Sequence, residues 1–228
     1  MRIDKFLSHN GFGTRKEVKL LIKKKQVKIN GTIITDAGFI LDPSKDKVVC
    51  QDQMIEYVED VYIMMNKPQG YICEHNPKDY PSVLELLDMH RNDLFFVGRL
   101  DADTEGLLLI TNDGQFSHSI AHGKKEVTKQ YEVHLEKDFD ETFIKDLHDG
   151  IPMDDSILKT AEIQIIEPRL ILLTISEGKY HQVKRMMHYC DNQVVHLKRL
   201  KIGELELDKS LELCDYRFLT QEEINQFT

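Results

Sequence analysis

Four carboxylates stand in the stretch "GRLDADTEGLLLITNDG", residues 98–114: Asp101, Asp103, Glu105 and Asp113. Their spacing suggests three kinds of chemistry: a calcium loop, an acidic catalytic turn, or a polar turn before a buried strand. A helix–loop–helix calcium site wants acids or amides at alternate positions, then a glycine, and a bidentate glutamate at the twelfth position. Asp101, Asp103, Glu105 and Gly106 satisfy the opening, but the twelfth position is Asn112, which has no carboxylate to give. The flanks "LFFVG" and "LLLIT" read as buried strands where helices would be needed. Calcium is excluded, leaving an acidic turn between two strands, whose Asp and Gly content suits a turn in its own right. Cys50, Cys73, Cys190 and Cys214 are scattered, without the paired spacing of a zinc site, so no metal is expected.

Basic residues form two other groups. The chain of 228 residues has a formal net charge of -9, yet residues 1–35 hold nine Lys/Arg against two acids. A basic head on an acidic body implies a module that seeks phosphate. Residues 179–201 hold six Lys/Arg against one acid, a second basic patch within an otherwise acidic body. The 41% hydrophobic and 30% charged fractions are those of an ordinary globular protein. No apolar run reaches membrane-spanning length, and the N-terminus is too polar for a secretory signal. A cytoplasmic protein with no membrane partner is expected.

The elements that must carry these residues can be read coarsely. "RIDKFLSH" has helical spacing at Ile3, Phe6 and Leu7. Thr14 and Glu17 have the spacing of a capping box, starting a helix with Val18, Leu21 and Ile22 on one face. Asn30-Gly31 between "VKI" and "TII" is a hairpin signal. Residues 42–60 read as the module's last strand and a linker. Beyond Val61, short strands dominate and helices do not alternate with them regularly. "KQYEVHL" alternates as a half-exposed strand, "AEIQIIEPRLILLTISEG" suggests a hairpin and "YHQVKRMMHYC" a helix. The expected fold is α+β: a small N-terminal domain of two helices plus a hairpin (1–58), then a larger mixed-sheet domain with flanking helices (59–228).

The head, "RIDKFLSHNGFGTRKEVKLLIKKKQVKINGTII", resembles the S4 RNA-binding domain. That likeness implies RNA contacts from Arg15, Lys16, Lys19, Lys23, Lys24, Lys25 and Lys28, made mostly to backbone, as suits A-form RNA. The body resembles the pseudouridine synthase family of the RsuA type. "GRLDADTEGLLLITNDG" is similar to that family's central motif over nearly its full length. "MNKPQGYIC", "KQYEV" and "SEGKYHQVKRM" stand around it in the family's order, so the two likenesses span essentially the whole chain.

The resemblance implies a catalytic Asp101, as nucleophile or base. Opening a glycosidic bond makes the sugar carbon cation-like, which a carboxylate stabilises. It also implies Lys184, where the family often has Arg, as the charge partner that keeps a sheltered Asp101 ionised. Tyr131 corresponds to the family's active-site tyrosine, for stacking on the uracil and for proton transfer. Arg99, His181 and Arg185 are expected to contact RNA, Asp103 and Glu105 to form the turn, and Tyr71, Tyr180 and Tyr189 to be structural. "SHSI" and "YHQVKRM" are closer to the small-subunit enzyme of the family. The expected function is therefore isomerisation of one uridine in small-subunit (16S) ribosomal RNA, free or in an assembly intermediate, by a monomer with no cofactor. The alternatives are the same reaction on large-subunit RNA, or a non-catalytic S4-type RNA-binding protein.

Overall fold

The computed structural model of the chain describes residues 1–55, 59–89, 91–121 and 126–228. The expected domain boundary at Val58 lies outside the described residues. The chain divides into two compact units, Met1–Val61 with Asp88–Leu94, and Tyr62–Leu87 with Phe95–Thr228. No helix among the described residues is long and apolar enough to cross a membrane.

In the first unit, α1 (Ile3–His9) and α2 (Arg15–Lys23) precede four short strands, β1 (Val27–Ile29), β2 (Thr32–Ile33), β3 (Val48–Cys50) and β4 (Gln53–Ile55). The Thr14 hydroxyl accepts from the Glu17 amide and the Glu17 carboxylate accepts from the Thr14 amide, so the capping box starts α2 as its sequence requires. Asn30 and Gly31 both have positive φ, the turn that lets β1 and β2 pair. The sheet order is β2-β1-β3-β4, with both helices burying Ile3, Phe6, Leu7, Val18 and Ile22 in one core with Val27, Ile29, Val48 and Cys50. The segment expected to supply one last strand supplies two. They turn at Gln51-Asp52, again with positive φ at both residues but without a glycine to announce it.

The second unit contains β5 (Tyr62–Lys67), β6 (Phe95–Val97), β7 (Thr104–Thr111), α3 (Gly114–Ala121), β8 (Lys129–Leu135) and α4 (Ile144–Asp149). A two-stranded ribbon follows, β9 (Pro152–Met153) and β10 (Ser156–Ile157). Then come β11 (Ala161–Glu167), β12 (Leu170–Ile175), α5 (Gln182–Tyr189), β13 (Val194–Ile202), β14 (Leu205–Glu206), β15 (Tyr216–Phe218) and α6 (Gln221–Asn225). One mixed sheet runs β11-β12-β8-β13-β7-β5-β15, with β6 on β7 and β14 on β13. Its centre is the parallel pair β7 and β13, where Leu197, Lys198 and Arg199 lie opposite Thr104, Glu105 and Gly106. β7 is almost wholly buried, with Leu107 and Leu109 packing beside Phe116 and Ile120 of α3. That is why "LLLIT" is a continuous apolar run and not an alternating one.

Gly106 is fixed by this parallel pairing. Its φ is +100°, and a Cβ there would stand 2.3 Å from the Arg199 carbonyl oxygen and 2.9 Å from the Arg199 amide nitrogen. Only glycine lets the two central strands approach this closely.

Candidate active site

Asp101 sits in the short turn that delivers the chain into β7, at the edge of the parallel pair. The turn is held from inside by backbone bonds, Thr104 N–H to the Asp101 carbonyl at 3.2 Å and Gly70 N–H to the Ala102 carbonyl at 2.8 Å. Beneath it lies Lys67, the last residue of β5 and wholly buried. Its ammonium donates to three carbonyls, of Thr104 (2.8 Å), Asp101 (2.9 Å) and Pro68 (3.0 Å). Three hydrogens on three acceptors satisfy an NH₃⁺ group completely. Burial nevertheless pulls its pKa down to about 8, against the upward pull of neighbours that include Asp103, Asp101 and Glu105.

The Asp101 side chain faces the opposite way, toward α5. Lys184 donates to Asp101 Oδ2 at 3.0 Å and to Asp103 Oδ1 at 2.6 Å. Partial burial works against the charge on Lys184, but the hydrogen bonds to Asp103 and Asp101 outweigh it and raise its pKa above the ordinary lysine value. Burial likewise opposes ionisation of Asp103, and the Lys184 hydrogen bond overcomes it, holding that carboxyl below its usual range. His181 Nε2 lies 3.5 Å from the same Asp101 oxygen. Asp101 is 35% exposed, so it is reachable from outside as well as paired.

Asp101, Arg99, Tyr131 and His181 share the lining of a cavity of about 520 Å³, and Lys184 and Thr104 line a smaller one beside it that also includes Asp101. The larger is in the size range of small-molecule sites. Tyr131 reaches it because β8 alternates strictly, placing Lys129, Tyr131, Val133 and Leu135 on one face. Tyr131 is 8% exposed and lies directly opposite Arg199 of β13. Arg199 is buried too, donating to the carbonyls of Leu107 (2.7 Å) and Gly98 (2.7 Å), so it ties β7 to the start of the acidic stretch. The site thus offers an accessible carboxylate, a cation bound to it, and an aromatic ring in one concavity.

The residues expected from sequence divide in a clear way. Asp101, Lys184, Tyr131, Arg99 and His181 come together. Arg185 instead makes two hydrogen bonds to Asp154, at 2.7 and 3.0 Å, pointing away from Asp101's partners. The basic stretch 179–201 is not one open surface. Arg199 is 1% exposed, Lys184 and Arg185 are ion-paired, and Lys201 meets Glu204 at 3.0 Å, because strand alternation and helix facing scatter a linear run of charge. Glu105, expected in the turn, lies within β7, where its carboxylate meets His196 at 3.1 Å. Tyr180, expected to be structural, is 76% exposed. In the first unit Arg15, Lys16, Lys19, Lys23, Lys24 and Lys25 are all exposed, while Lys28 is half-buried and 3.4 Å from Asp52.

Lys67, Arg199 and Thr104 were not singled out by the sequence reading. A lysine closing the apolar run "VYIMMNK" just before proline was the available signal for the first. Strict alternation with Leu197 was the signal for the second.

Comparison with known proteins covers both units. The family described as RNA pseudouridylate synthase matches residues 61–189, and the S4 domain matches residues 1–47. The chain is 42% identical to an uncharacterized RNA pseudouridine synthase of Bacillus subtilis, over 99% of this chain and 97% of that protein. It is 40% identical to ribosomal small subunit pseudouridine synthase A of Haemophilus influenzae, over 99% of each. The same enzyme of Escherichia coli is 38% identical over 98% of each. Among solved structures, a crystal structure of a pseudouridylate synthase superposes with a TM-score of 0.72 at 39% identity, covering all of both chains.

Proposed function

We propose a specific reaction from one premise: the chain belongs to the RNA pseudouridylate synthase family and carries an S4 domain. It is an rRNA pseudouridine synthase. We assign it one uridine of small-subunit rRNA, free or in an assembling subunit, and a cytoplasmic place of action. The small-subunit target is supported by the full-length likeness to enzymes named for that subunit.

The observation that carries the reaction is the Lys184–Asp101 pair at 3.0 Å, opening on a cavity that Tyr131 also lines. In the isomerisation the C1′–N1 bond of uridine breaks, the uracil turns, and a C1′–C5 bond forms. C5 loses its proton and N1 gains one, so atoms balance without a redox step or a group donor, and we assign no cofactor. Asp101 is the group that engages the nucleotide. Attack on the sugar, addition to the ring and removal of a ribose proton all use it as a carboxylate, and Lys184 is the cation hydrogen-bonded to that carboxylate. Tyr131 supplies the flat face on which a flipped uracil stacks, a contact of about 1–3 kcal/mol. Arg99, which lines the same cavity, contacts the RNA beside the flipped nucleotide in this reading.

The test is tritium release from [5-³H]uridine-labelled small-subunit rRNA, with large-subunit rRNA in parallel, because forming the C1′–C5 bond expels the C5 hydrogen. Release from small-subunit RNA alone is expected. Release from large-subunit RNA alone would move the target and keep the chemistry. Silence on both, and on assembly intermediates, would leave an RNA-binding protein without this activity.

The exposed lysines of α2 are assigned to phosphate contacts. Replacing Lys16, Lys19, Lys23 and Lys24 together by glutamine is expected to weaken rRNA binding. It should flatten the slope of log K against log salt by up to about three, since each phosphate neutralised contributes roughly 0.7–0.9. A slope equal to that of the wild type would remove this face from the RNA contact.

A further inference from the structure

At the mouth of the cavity the two aromatic rings of Tyr180 and His181 stack, with centroids 3.8 Å apart and planes 17° from parallel. Tyr180 is 76% exposed, among the largest exposures of any apolar or aromatic residue among those described. One face of its ring rests on His181, and the exposure belongs to the other. A tyrosine used for packing would be turned inward; this one presents a bare π-face to solvent beside the cavity whose wall it shares with Asp101.

The pair is held in place from below. His181 adopts a left-handed backbone, φ 50°, just before α5 begins. The amide of Lys179 donates to the buried Gln182 side chain at 2.9 Å, and the amide of Gln182 donates back to the Lys179 carbonyl at 3.1 Å. Tyr180 and His181 therefore lie on a closed loop pinned at both ends. The His181 edge points to Asp101, 3.5 Å away, while its face carries Tyr180. Left-handed backbone at a non-glycine residue is costly and persists where its surroundings impose it. Here it stands at the residue where the chain carrying the two rings enters α5.

We propose that the outer face of Tyr180 is a binding site for a nucleobase, that of the nucleotide next to the reacting uridine. The inference rests on the reading of an RNA uridine as substrate. Taking a base out of its stack leaves its neighbour with an uncovered face, and unstacking is part of the cost of flipping. Proteins that read unpaired RNA cover such faces with Tyr, Phe, Trp or His. A tyrosine already stacked and pinned loses little freedom when a base is added, so more of the stacking energy appears as affinity. The sequential order of stacking is then flanking base, Tyr180, His181, with the target uridine directed past them to Asp101 and Tyr131.

The experiment uses the shortest rRNA fragment that the wild-type protein converts, with 2-aminopurine placed either 5′ or 3′ of the reacting uridine. Stacking quenches 2-aminopurine fluorescence. Wild type and the variants Tyr180→Ala, Tyr180→Phe and Tyr180→Trp are compared in steady-state tritium release. Binding is compared in an Asp101→Asn background. With Tyr180→Ala, KM is expected to rise by about 5- to 150-fold, the range of losing one base–aromatic stack. kcat should change far less, and quenching at one flanking position should be lost. Tyr180→Phe and Tyr180→Trp should stay near wild type in both readouts.

If wild type is active while Tyr180→Ala keeps its KM and its quenching, the platform is wrong and the synthase reading stands. A fall in kcat alone, with KM and quenching unmoved, would also overturn the platform, since it would show Tyr180 acting through His181 on Asp101. Wild-type silence on every RNA would overturn the synthase reading and the platform with it. Because Tyr180 is exposed, truncating it leaves no cavity, and an unchanged melting temperature shows that the fold is intact.

Discussion

The Asp101→Asn protein is expected to bind rRNA close to normally and to lose about 10²–10⁴-fold in tritium release, the scale set by removing a positioned group that reacts or transfers a proton. The amide has the shape of the carboxylate, so the change isolates charge and nucleophilicity. The backbone of the turn does not depend on the side chain, because Thr104 donates to the main-chain oxygen of Asp101 and Lys67 donates to it as well. Lys184 is not left as an unpaired cation either. It keeps Asp103 at 2.6 Å, the shorter of its two bonds. Folding should therefore survive, with a melting temperature within a few degrees of wild type. RNA affinity should hold or rise slightly, since one negative charge leaves a surface that meets phosphate. The measurement is single-turnover tritium release beside equilibrium binding and a melting curve. Activity above about a tenth of wild type, in a protein that folds and binds, would show that Asp101 is not the reacting group.

The parts legible from sequence were those whose signals are local. The capping box at Thr14 and Glu17, the Asn30-Gly31 hairpin, and the alternation of "KQYEVHL" are each set by neighbours within a few residues, and each forms where its pattern places it. The hairpin of β3 and β4 escaped because Gln51 and Asp52 take the left-handed conformation without glycine. The segment Asp88–Leu94 carries no mark of its grouping with the first unit. There the Asn92 amide donates to the His9 carbonyl at 3.0 Å, and the Asp93 carboxylate meets His9 at 3.2 Å. Such contacts join residues far apart in the chain, and no periodicity encodes them.

The candidate site shows the same division. The acidic turn was visible as a cluster of Asp and Gly, whereas Asp101, Tyr131 and Lys184 stood out only through the likeness of their motifs to the pseudouridine synthase family. What the sequence did not reveal is the scaffold beneath, Lys67 and Arg199, because a buried cation looks the same in a sequence as an exposed one. Both were hidden by a reasonable rule, that Lys and Arg belong outside. Both are exceptions for a similar reason: each donates to main-chain oxygens of the bend from Gly98 to Thr104, Gly98 for Arg199 and Asp101 and Thr104 for Lys67, as well as to one carbonyl beyond it.

Replacing Lys67 by methionine is accordingly expected to damage both stability and turnover. Methionine fills similar volume, but the carbonyls of Pro68, Asp101 and Thr104 lose their donor. Each buried acceptor left alone costs about 1–3 kcal/mol, partly offset by no longer burying a cation, for a net loss of about 2–4 kcal/mol. At 2–4 °C for each kcal/mol, the second unit should melt roughly 5–15 °C lower. The pH dependence separates this from a simple packing defect. Lys67 titrates at about 8 in the fold, against 10.5 for a free lysine. Between those values the unfolded chain still holds a proton that the folded one has released, so raising the pH favours the fold. Below about 8 both states are protonated and the contribution is flat. The melting advantage of wild type over Lys67→Met should therefore widen from pH 8 to 10, by up to about 1.4 kcal/mol per pH unit. Turnover should move the other way, because a neutral amine has two hydrogens for three carbonyls and tethers Asp101 less firmly. kcat/KM of wild type should fall with an apparent pKa near 8, and this limb should be missing from whatever activity the variant retains. A melting difference that stays constant or narrows across that window would show that Lys67 is charged throughout, and that the turn carrying Asp101 is held in another way.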